Sequence, residues 1–380
     1  MPMHNGWLPR EGLTADPVGR FIKKTALNPA VTLAILLLAR YTKKGSDLSI
    51  LHETAISRVR KLFYFGLIRW ASAYLDAGVL DNWTKDNYDW NKEIVLVTGG
   101  AGGIGGNVVQ LLSERGIQVV VLDVIPMTFE TASNVYYYKC DITSTSTIAT
   151  VAAEIRKDVG EPTILINNAG VARGKNILEA TEKDVRFTFE VNTLAHYWIT
   201  KEFLPSMVKN NHGMVVTVAS LAAFITVPSM VDYASSKAAA QSFHEGLTAE
   251  LKTRYNAPKV RTVIINQGYT KTPLFEGYNN DSPFLVPSLQ PETVAEAIVK
   301  KVLTGHSGQV IIPGFGATLT FLRGFPHWYQ NRLRSKGKDI MTNWKGRQVI
   351  DVDRWTAAGE KGEAGGEATE SAVLVQPGSE

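Results

Sequence analysis

The sequence predicts an α/β domain built on a doubly wound parallel sheet of about seven strands, and two patterns predict it. Between residues 92 and 313, short runs of continuous apolar residues alternate without a break with longer stretches of helical periodicity. Strands that are apolar throughout, each followed by a helix, need cover on both faces, which parallel sheets obtain from their crossover helices. The second pattern is a glycine-rich turn between the first of these strands and the first helix.

Strands are expected at 93–98, 117–123, 134–139, 163–167, 214–220, 260–266 and 309–312. Helical patterns run through 104–115, 145–158, 181–208, 232–255 and 291–303. Three further zones flank this one. Residues 1–91 form a hydrophobic N-terminal extension expected to be helical. Residues 314–350 are aromatic and basic, and 357–380, rich in Gly, Glu, Ala and Ser, predict a disordered tail with too little apolar surface to order itself. The formal net charge of +4 is too small to suggest a nucleic-acid partner. A single cysteine, Cys140, excludes an intrachain disulfide, fits a cytosol-facing protein and reads as a small buried core residue. His196, His212 and His244 lack metal-ligand spacing, so no metal is inferred; His196 reads as a hydrogen-bonded structural residue and His212 as a turn residue.

The turn after the first strand is Thr98-Gly99-Gly100-Ala101-Gly102-Gly103-Ile104-Gly105. Glycines there let backbone N–H groups approach a pyrophosphate without Cβ clashes, and the helix N-terminus adds partial positive charge. Flexible turns look similar, but strand, turn and helix follow in the order that makes this a Rossmann-type nucleotide site. The second strand ends at Asp123, 24 residues after Gly99. A carboxylate there accepts hydrogen bonds from ribose hydroxyls and repels a 2′-phosphate, and no Lys or Arg lies in the glycine loop, so the expected cofactor is NAD rather than NADP. The competing reading of Asp123 is an ordinary turn aspartate. Asp141, after the next strand, is a candidate neighbour of the adenine.

Tyr233 and Lys237 stand one helical turn apart on one face. A free phenol, with a pKa of about 10, is a poor base at neutral pH. A neighbouring ammonium and an oxidised nicotinamide ring both favour the phenolate, which could then take a proton from an alcohol as hydride leaves. Such a pair is common by chance; its context gives it weight. Ser220 ends an apolar strand thirteen residues earlier and can orient a substrate oxygen, or merely cap the strand. Asn192, a polar amide inside a helical stretch, is otherwise an unexplained cost; its expected role is to hold a water linking Lys237 to solvent.

With Asn167-Asn168-Ala169-Gly170 after the fourth strand, these motifs resemble the short-chain dehydrogenase/reductase family from about Lys92 to Leu303. The resemblance implies catalysis by Tyr233, Lys237, Ser220 and Asn192. It implies cofactor contacts from Thr98, Gly99, Gly103, Ile104, Gly105, Asp123, Asp141, Ile142, Asn168, Ala169, Gly170, Tyr233, Lys237, Gly268 and Thr272. Phe189-Glu-Val-Asn-Thr-Leu-Ala-His196-Tyr-Trp198, Lys201-Glu-Phe-Leu-Pro205 and the run from Asn211 to Ser220 narrow it. They are similar to the branch holding retinol dehydrogenase 10-like and 17-beta-hydroxysteroid dehydrogenase 11/13-like enzymes. That likeness implies a lipophilic alcohol (retinoid, steroid or long chain) and attachment to the endoplasmic reticulum or lipid droplets. Two departures stand out: Gln267-Gly268 replaces the family's Pro-Gly, and Ala223 replaces a frequent glycine, which would narrow the substrate side.

The membrane expectation has its own support. An apolar stretch at 26–41, with an uncharged core at 30–39, has basic residues before that core (Arg20, Lys23, Lys24) and after it (Arg40, Lys43, Lys44), and a second apolar and aromatic stretch, interrupted by Arg69, spans 62–75. Sixteen helical residues reach about 24 Å, short of a bilayer core of roughly 30 Å. A short anchor, a hairpin dipping into one leaflet and two helices packed on a soluble domain therefore all stay open. Between Lys300 and Arg347 nine Lys/Arg face one acid, Asp339. The aromatics at 318–334 beside arginines suit a lipid interface or a homodimer contact equally. Residues 272–289, long and apolar, read as a mobile lid. Besides an NAD-dependent alcohol dehydrogenase, two functions compete: an NADPH-dependent lipid carbonyl (3-ketoacyl-type) reductase, against which Asp123 argues, and a non-catalytic membrane-bound scaffold of the same fold.

Overall fold

The computed structural model describes residues 3–280 and 282–346. The tail expected at 357–380, and the end of the aromatic and basic zone from 347, lie outside the described residues. Four helices come first: α1 (Ala15–Lys24), α2 (Pro29–Tyr41), α3 (Lys43–Leu51) and α4 (Glu53–Leu80). Strand and helix then alternate: β1 (Ile94–Thr98), α5 (Gly103–Ser113), β2 (Gln118–Asp123), β3 (Val135–Lys139), α6 (Thr145–Asp158) and β4 (Ile164–Asn167). After them come α7 (Glu182–Phe189), α8 (Ala195–Asn210), β5 (Met214–Val218), α9 (Val231–Thr253), β6 (Arg261–Gln267), α10 (Pro291–Leu303), β7 (Gly308–Ile312) and α11 (His327–Lys336).

The seven strands form one sheet in the order β3-β2-β1-β4-β5-β6-β7, every pair parallel. Alternate residues of β1 show why both faces are covered. Leu96 packs with Val120, Leu165 and Phe203 on one side, and Val95 and Val97 with Val121, Ile166 and Ile298 on the other. Chain order reverses between β1 and β4, so their C-terminal ends part and open the crevice in which such sheets bind ligands.

One expected helix divides. The stretch 181–208 is broken by a π-helical turn, Glu190–Leu194, between α7 and α8. Asn192 occupies its middle, buried, and an amide there meets the backbone only because the turn widens. The expected strand 214–220 also stops early, at Val218, and Ser220 begins a 3₁₀ turn, Leu221–Ala223.

In the extension, α2, α3 and α4 pack on one another. Gly66 lets α4 pass the Leu27 carbonyl, since a Cβ there would stand 2.8 Å from its oxygen. The outer faces keep Leu37, Leu38, Phe65, Ile68 and Trp70 exposed. Among the described residues no single helix is long and apolar enough to cross a membrane; α1 and α2, bent by 46°, meet the requirement only together. The end of α4 is tied to the sheet by Arg261, whose guanidinium is buried at 1% exposure. It donates to the carbonyls of Asp81 (2.8 Å) and Thr84 (2.7 Å). The Asp81 carboxylate in turn accepts from Ser307 N at 2.9 Å. Arg261→Met, which strands these acceptors, is expected to lower unfolding free energy by about 3 kcal/mol, read by urea denaturation of the two proteins side by side.

Candidate functional site

At the parting of β1 and β4 the chain is clasped by hydrogen bonds. The Thr98 hydroxyl oxygen accepts from the backbone N–H of Asn168 (3.0 Å) and Ala169 (3.1 Å). The Asn168 amide donates to the carbonyls of Thr98 (3.0 Å) and Gly99 (3.1 Å). Gly99 can be nothing larger: its φ is +66°, and a Cβ would stand 2.8 Å from the Ala169 Cα. At Gly105 a Cβ would collide with the Gly99 carbonyl and the Asn168 amide. Asp123 braces the far side of the loop, its carboxylate accepting from Ala101 N at 3.0 Å and Val124 N at 2.8 Å.

These elements border a cavity of about 680 Å³. Gly99, Gly103, Ile104, Gly105, Asp123, Asp141, Ile142, Asn168, Ala169, Gly170, Gly268 and Thr272 line it, as do Ser220, Tyr233 and Lys237. Thr98 and Asn192 do not. Thr98, expected among the cofactor contacts, turns its hydroxyl into the clasp behind the loop. Asn192 lies behind the other wall. It accepts from Val171 N at 2.8 Å and donates to Val171 O (2.9 Å) and Ser236 Oγ (3.0 Å). It thereby locks the loop after β4 to the turn of α9 that carries Tyr233 and Lys237. The Asp141 carboxylate also has local work, accepting from Thr143 N at 2.9 Å.

Tyr233 is buried against the cavity and hydrogen-bonds Ser220. Ser220 Oγ also donates to Gln267 O (3.3 Å) and accepts from Ala222 N (3.1 Å), so the cap and the site are one residue. Lys237 Nζ donates to Val218 O at 2.9 Å and lies 5.8 Å from the centre of the Tyr233 ring. The sequence argument expects the ammonium to acidify the phenol. In this structure burial dominates instead, pushing Tyr233 up to about 12 against the opposing Ser220 hydrogen bond, and pushing Lys237 down to about 8.

Of the other expectations, those for His196 and Ala223 need correction, and Cys140 is buried as expected. His196 is buried edge-on to Phe243, but neither ring nitrogen has a hydrogen-bond partner, and burial drives it down to about 3. His212 follows the left-handed Asn211 turn and reaches Asp86 Oδ2 at 2.8 Å. Ala223 does not narrow the substrate side: it is buried away from the cavity, and its carbonyl accepts from Arg323. Gln267 takes its place as the last residue of β6, paired with Ile312. Cys140 is buried, its thiol raised to about 12 by burial.

The far part of the cavity is apolar. Leu221, Ile225 and Met230 follow β5; Leu274, Phe275 and Tyr278 come from the 272–289 loop. Phe275 stands edge-on to the Tyr233 ring at 5.4 Å, and Tyr278 stacks on Tyr269 at 3.8 Å. The remaining wall is the 314–346 segment, through Leu319, Leu333 and Ile340, with Trp344 Nε1 donating to Leu274 O at 3.0 Å. Composition assigns that segment to lipid or to a dimer contact and carries no sign of its part in the cavity. No periodicity marks it, because much of it is 3₁₀ turn, Gly314–Gly324.

The model of the short chain dehydrogenase family matches residues 93–283, half of the chain. The chain belongs to the short-chain dehydrogenase family. Its curated relatives in that family include Dehydrogenase RED2 of Cochliobolus heterostrophus, 45% identical over 51% of this chain and 74% of that protein. Short-chain dehydrogenase/reductase family 16C member 6 of Bos taurus is 32% identical over 73% of this chain and 87% of its own length. Estradiol 17-beta-dehydrogenase 11 of Rattus norvegicus is 36% identical over 64% and 83%. Among solved structures, a short chain dehydrogenase from Burkholderia cenocepacia in complex with NADP superposes with a TM-score of 0.56 at 25% identity, covering 65% of this chain and 99% of that one. One from Streptomyces avermitilis gives 0.54 at 18% identity, covering 72% and 100%, and shows the fold alone. The chain is thus an oxidoreductase of this family, with hydroxysteroid dehydrogenases among its relatives.

Because burial lowers Lys237 in the folded protein, the unfolded chain binds the extra proton between about pH 8 and 10.5. Stability of the cofactor-free protein should therefore rise with pH through that window, by about 3 kcal/mol relative to Lys237→Met. Urea titrations of both proteins at pH 8 and pH 10 measure the difference; parallel pH profiles would contradict a buried, depressed lysine.

Proposed function

We propose that the protein transfers hydride between NAD(H) and a lipophilic alcohol or its carbonyl, a retinoid, steroid or long-chain alcohol, at the surface of the endoplasmic reticulum or a lipid droplet, with the catalytic domain in the cytosol. The observation that carries this reading is the single cavity in which Tyr233, Ser220 and Lys237 border an apolar chamber formed by Leu274, Phe275, Leu319 and Leu333. The residues present fit a dinucleotide. The glycine turn faces the cavity, Gly99 and Gly105 lack the Cβ that would push its loops apart, and Asp123 and Asp141 line the same cavity. Gly99, Gly103, Ile104, Gly105, Ile142, Asn168, Ala169, Gly170, Gly268 and Thr272 would hold it. Asp123 would accept from the ribose hydroxyls and so favour NAD. The NADP in the complex of the Burkholderia neighbour belongs to that protein and marks the reductase reading as the one to exclude.

Bound at that place, a nicotinamide supplies the hydride acceptor or donor, and its positive charge in the oxidised form favours ionisation of the phenol. Ser220 holds the substrate oxygen beside Tyr233. Tyr233 takes the alcohol proton, or returns it to the carbonyl in the reverse direction. Lys237, held on Val218 O, supplies positive charge to the phenolate. Asn192, expected to hold a water beside Lys237, has its amide committed to Val171 and Ser236 instead, and its part is to keep the α9 turn in register. The apolar chamber excludes water from the reacting atoms and binds the greasy remainder of the substrate. Exposed apolar faces on α2 and α4, flanked by basic residues, support residence on a membrane.

Purified protein in detergent, given NAD and a panel of retinol, hydroxysteroids and fatty alcohols, is expected to produce NADH with at least one of them. Tyr233→Phe should cut that rate on the order of 10²–10⁴-fold. Cofactor binding without turnover on any substrate would point to the non-catalytic scaffold. Replacing Asp123 by Ser should lower the NAD-over-NADP ratio of kcat/KM on the order of tenfold, since the repulsion of a 2′-phosphate goes with the carboxylate. Wild-type preference for NADPH would favour the reductase.

A further inference from the structure

We propose that α1 is a lipid-contacting lever: its apolar face rests in an anionic lipid surface, and its polar ties carry that engagement to the wall of the substrate cavity. The inference rests on the reading of a lipophilic substrate taken up at a membrane, and adds a contact surface and a coupling to it. Val18, Phe21 and Ile22, three and four residues apart, share one face of α1. Arg20, Lys23 and Lys24 share the opposite face. Both faces are exposed, Phe21 at 59%, so nothing among the described residues covers the apolar one. A helix with that division suits the plane of a lipid interface.

The N-terminal end of the helix is fastened at two places. Ala15 N donates to Phe284 O at 2.9 Å. The Asp16 carboxylate accepts from Gly314 N at 2.8 Å and Phe315 N at 3.1 Å, capping the 3₁₀ run that starts there. Each fastened segment contributes to the cavity wall, the loop through Ser282 and Val286 and the 3₁₀ run through Leu319. Each also keeps an aromatic ring outside, Phe284 on the loop and Phe315 and Phe321 on the run. A helix pressed into lipid thus pulls on two parts of the cavity wall through three backbone N–H groups.

Charge selects the occupant. Alongside the three cations of α1, residues 314–346 carry six Lys/Arg against Asp339 alone. Apolar side chains set among cations are complementary to lipid with anionic head groups. A second copy of the chain would bring like charges together.

The test is hydrogen exchange of the full chain with and without phosphatidylcholine vesicles containing phosphatidylserine, with flotation as the binding readout. Wild type is expected to float, and exchange should slow in 18–24, in 284–289 and in 314–321 together. Asp16→Ala should keep the slowing in 18–24 and lose it in 314–321. Phe21→Glu with Ile22→Glu should lose it in all three, while thermal melting shows an intact fold. Vesicle protection confined to α2–α4 would overturn the proposal. So would slowing at 314–321 that survives Asp16→Ala, or slowing at 18–24 that needs only a higher protein concentration, which would make a second copy the occupant. No alcohol enters the experiment, so failure of the substrate reading and failure of the lever are separate results.

Discussion

The site depends on how closely the chain passes itself where β1 and β4 part. Two side chains hold that approach: Thr98 accepts two backbone N–H groups from the β4 loop, and Asn168 donates to two carbonyls of the β1 loop. The exchange is reciprocal, so neither loop can leave without stranding polar groups of the other, a cost of about 1–3 kcal/mol for each buried group left unmet. The closeness of the loops, together with a φ of +66°, requires Gly99 to lack a Cβ, and the glycine turn faces the crevice as a shaped cradle. Asp123 fixes the opposite edge through Ala101 N, so the carboxylate proposed to discriminate between cofactors is also a brace of the loop.

The second wall is fixed by a similar economy. Asn192 spends both amide hydrogens and its oxygen on Val171 and Ser236, and Ser236 Oγ donates to Tyr233 O at 2.7 Å. The loop after β4, the π-helical turn and the first turn of α9 therefore move as one body. That rigidity matters because Tyr233 and Lys237 sit where burial opposes charge on both: the phenol is raised and the amine lowered. A phenolate–ammonium pair in such surroundings needs its partners held at fixed distances, since unpaired charge in a dry site costs several kcal/mol.

Much of this was legible in the sequence, for reasons that can be named. The central strands β1, β4 and β5 are buried on both faces and almost wholly apolar, which makes alternation with helices visible in one dimension. α6 and α10 were placed at their observed bounds, where Ser144 caps one and Pro291 starts the other. The glycine turn was legible because backbone geometry dictates residue type there. What escaped lies in interactions that carry no period. The π-helical turn at 190–194 leaves the 3.6-residue pattern nearly intact, so 181–208 read as one helix. Thr98 and Asn192 stand in the motif, but whether a motif residue faces the cavity or braces it from behind is a matter of side-chain direction.

The substrate chamber was the least legible part, and its construction explains why. Its walls come from 221–230, 272–286 and 319–340, stretches far apart in sequence and rich in 3₁₀ turns, where no stripe of apolar residues announces a buried face. Leu319 and Leu333 look in sequence like any residues of an aromatic and basic surface, and become cavity wall only because Trp344 and Met341 fold the segment back over Leu274. Phe321 and Trp328, from the same segment, remain outside. One stretch of chain thus serves two apolar environments at once, and a readout of composition averages over both. It follows that the sheet and the residues proposed for proton transfer go with the class of reaction, whereas the shape of the cavity's far part is set by loops and by the segment after β7, which can change with no change at Ser220, Tyr233 or Lys237.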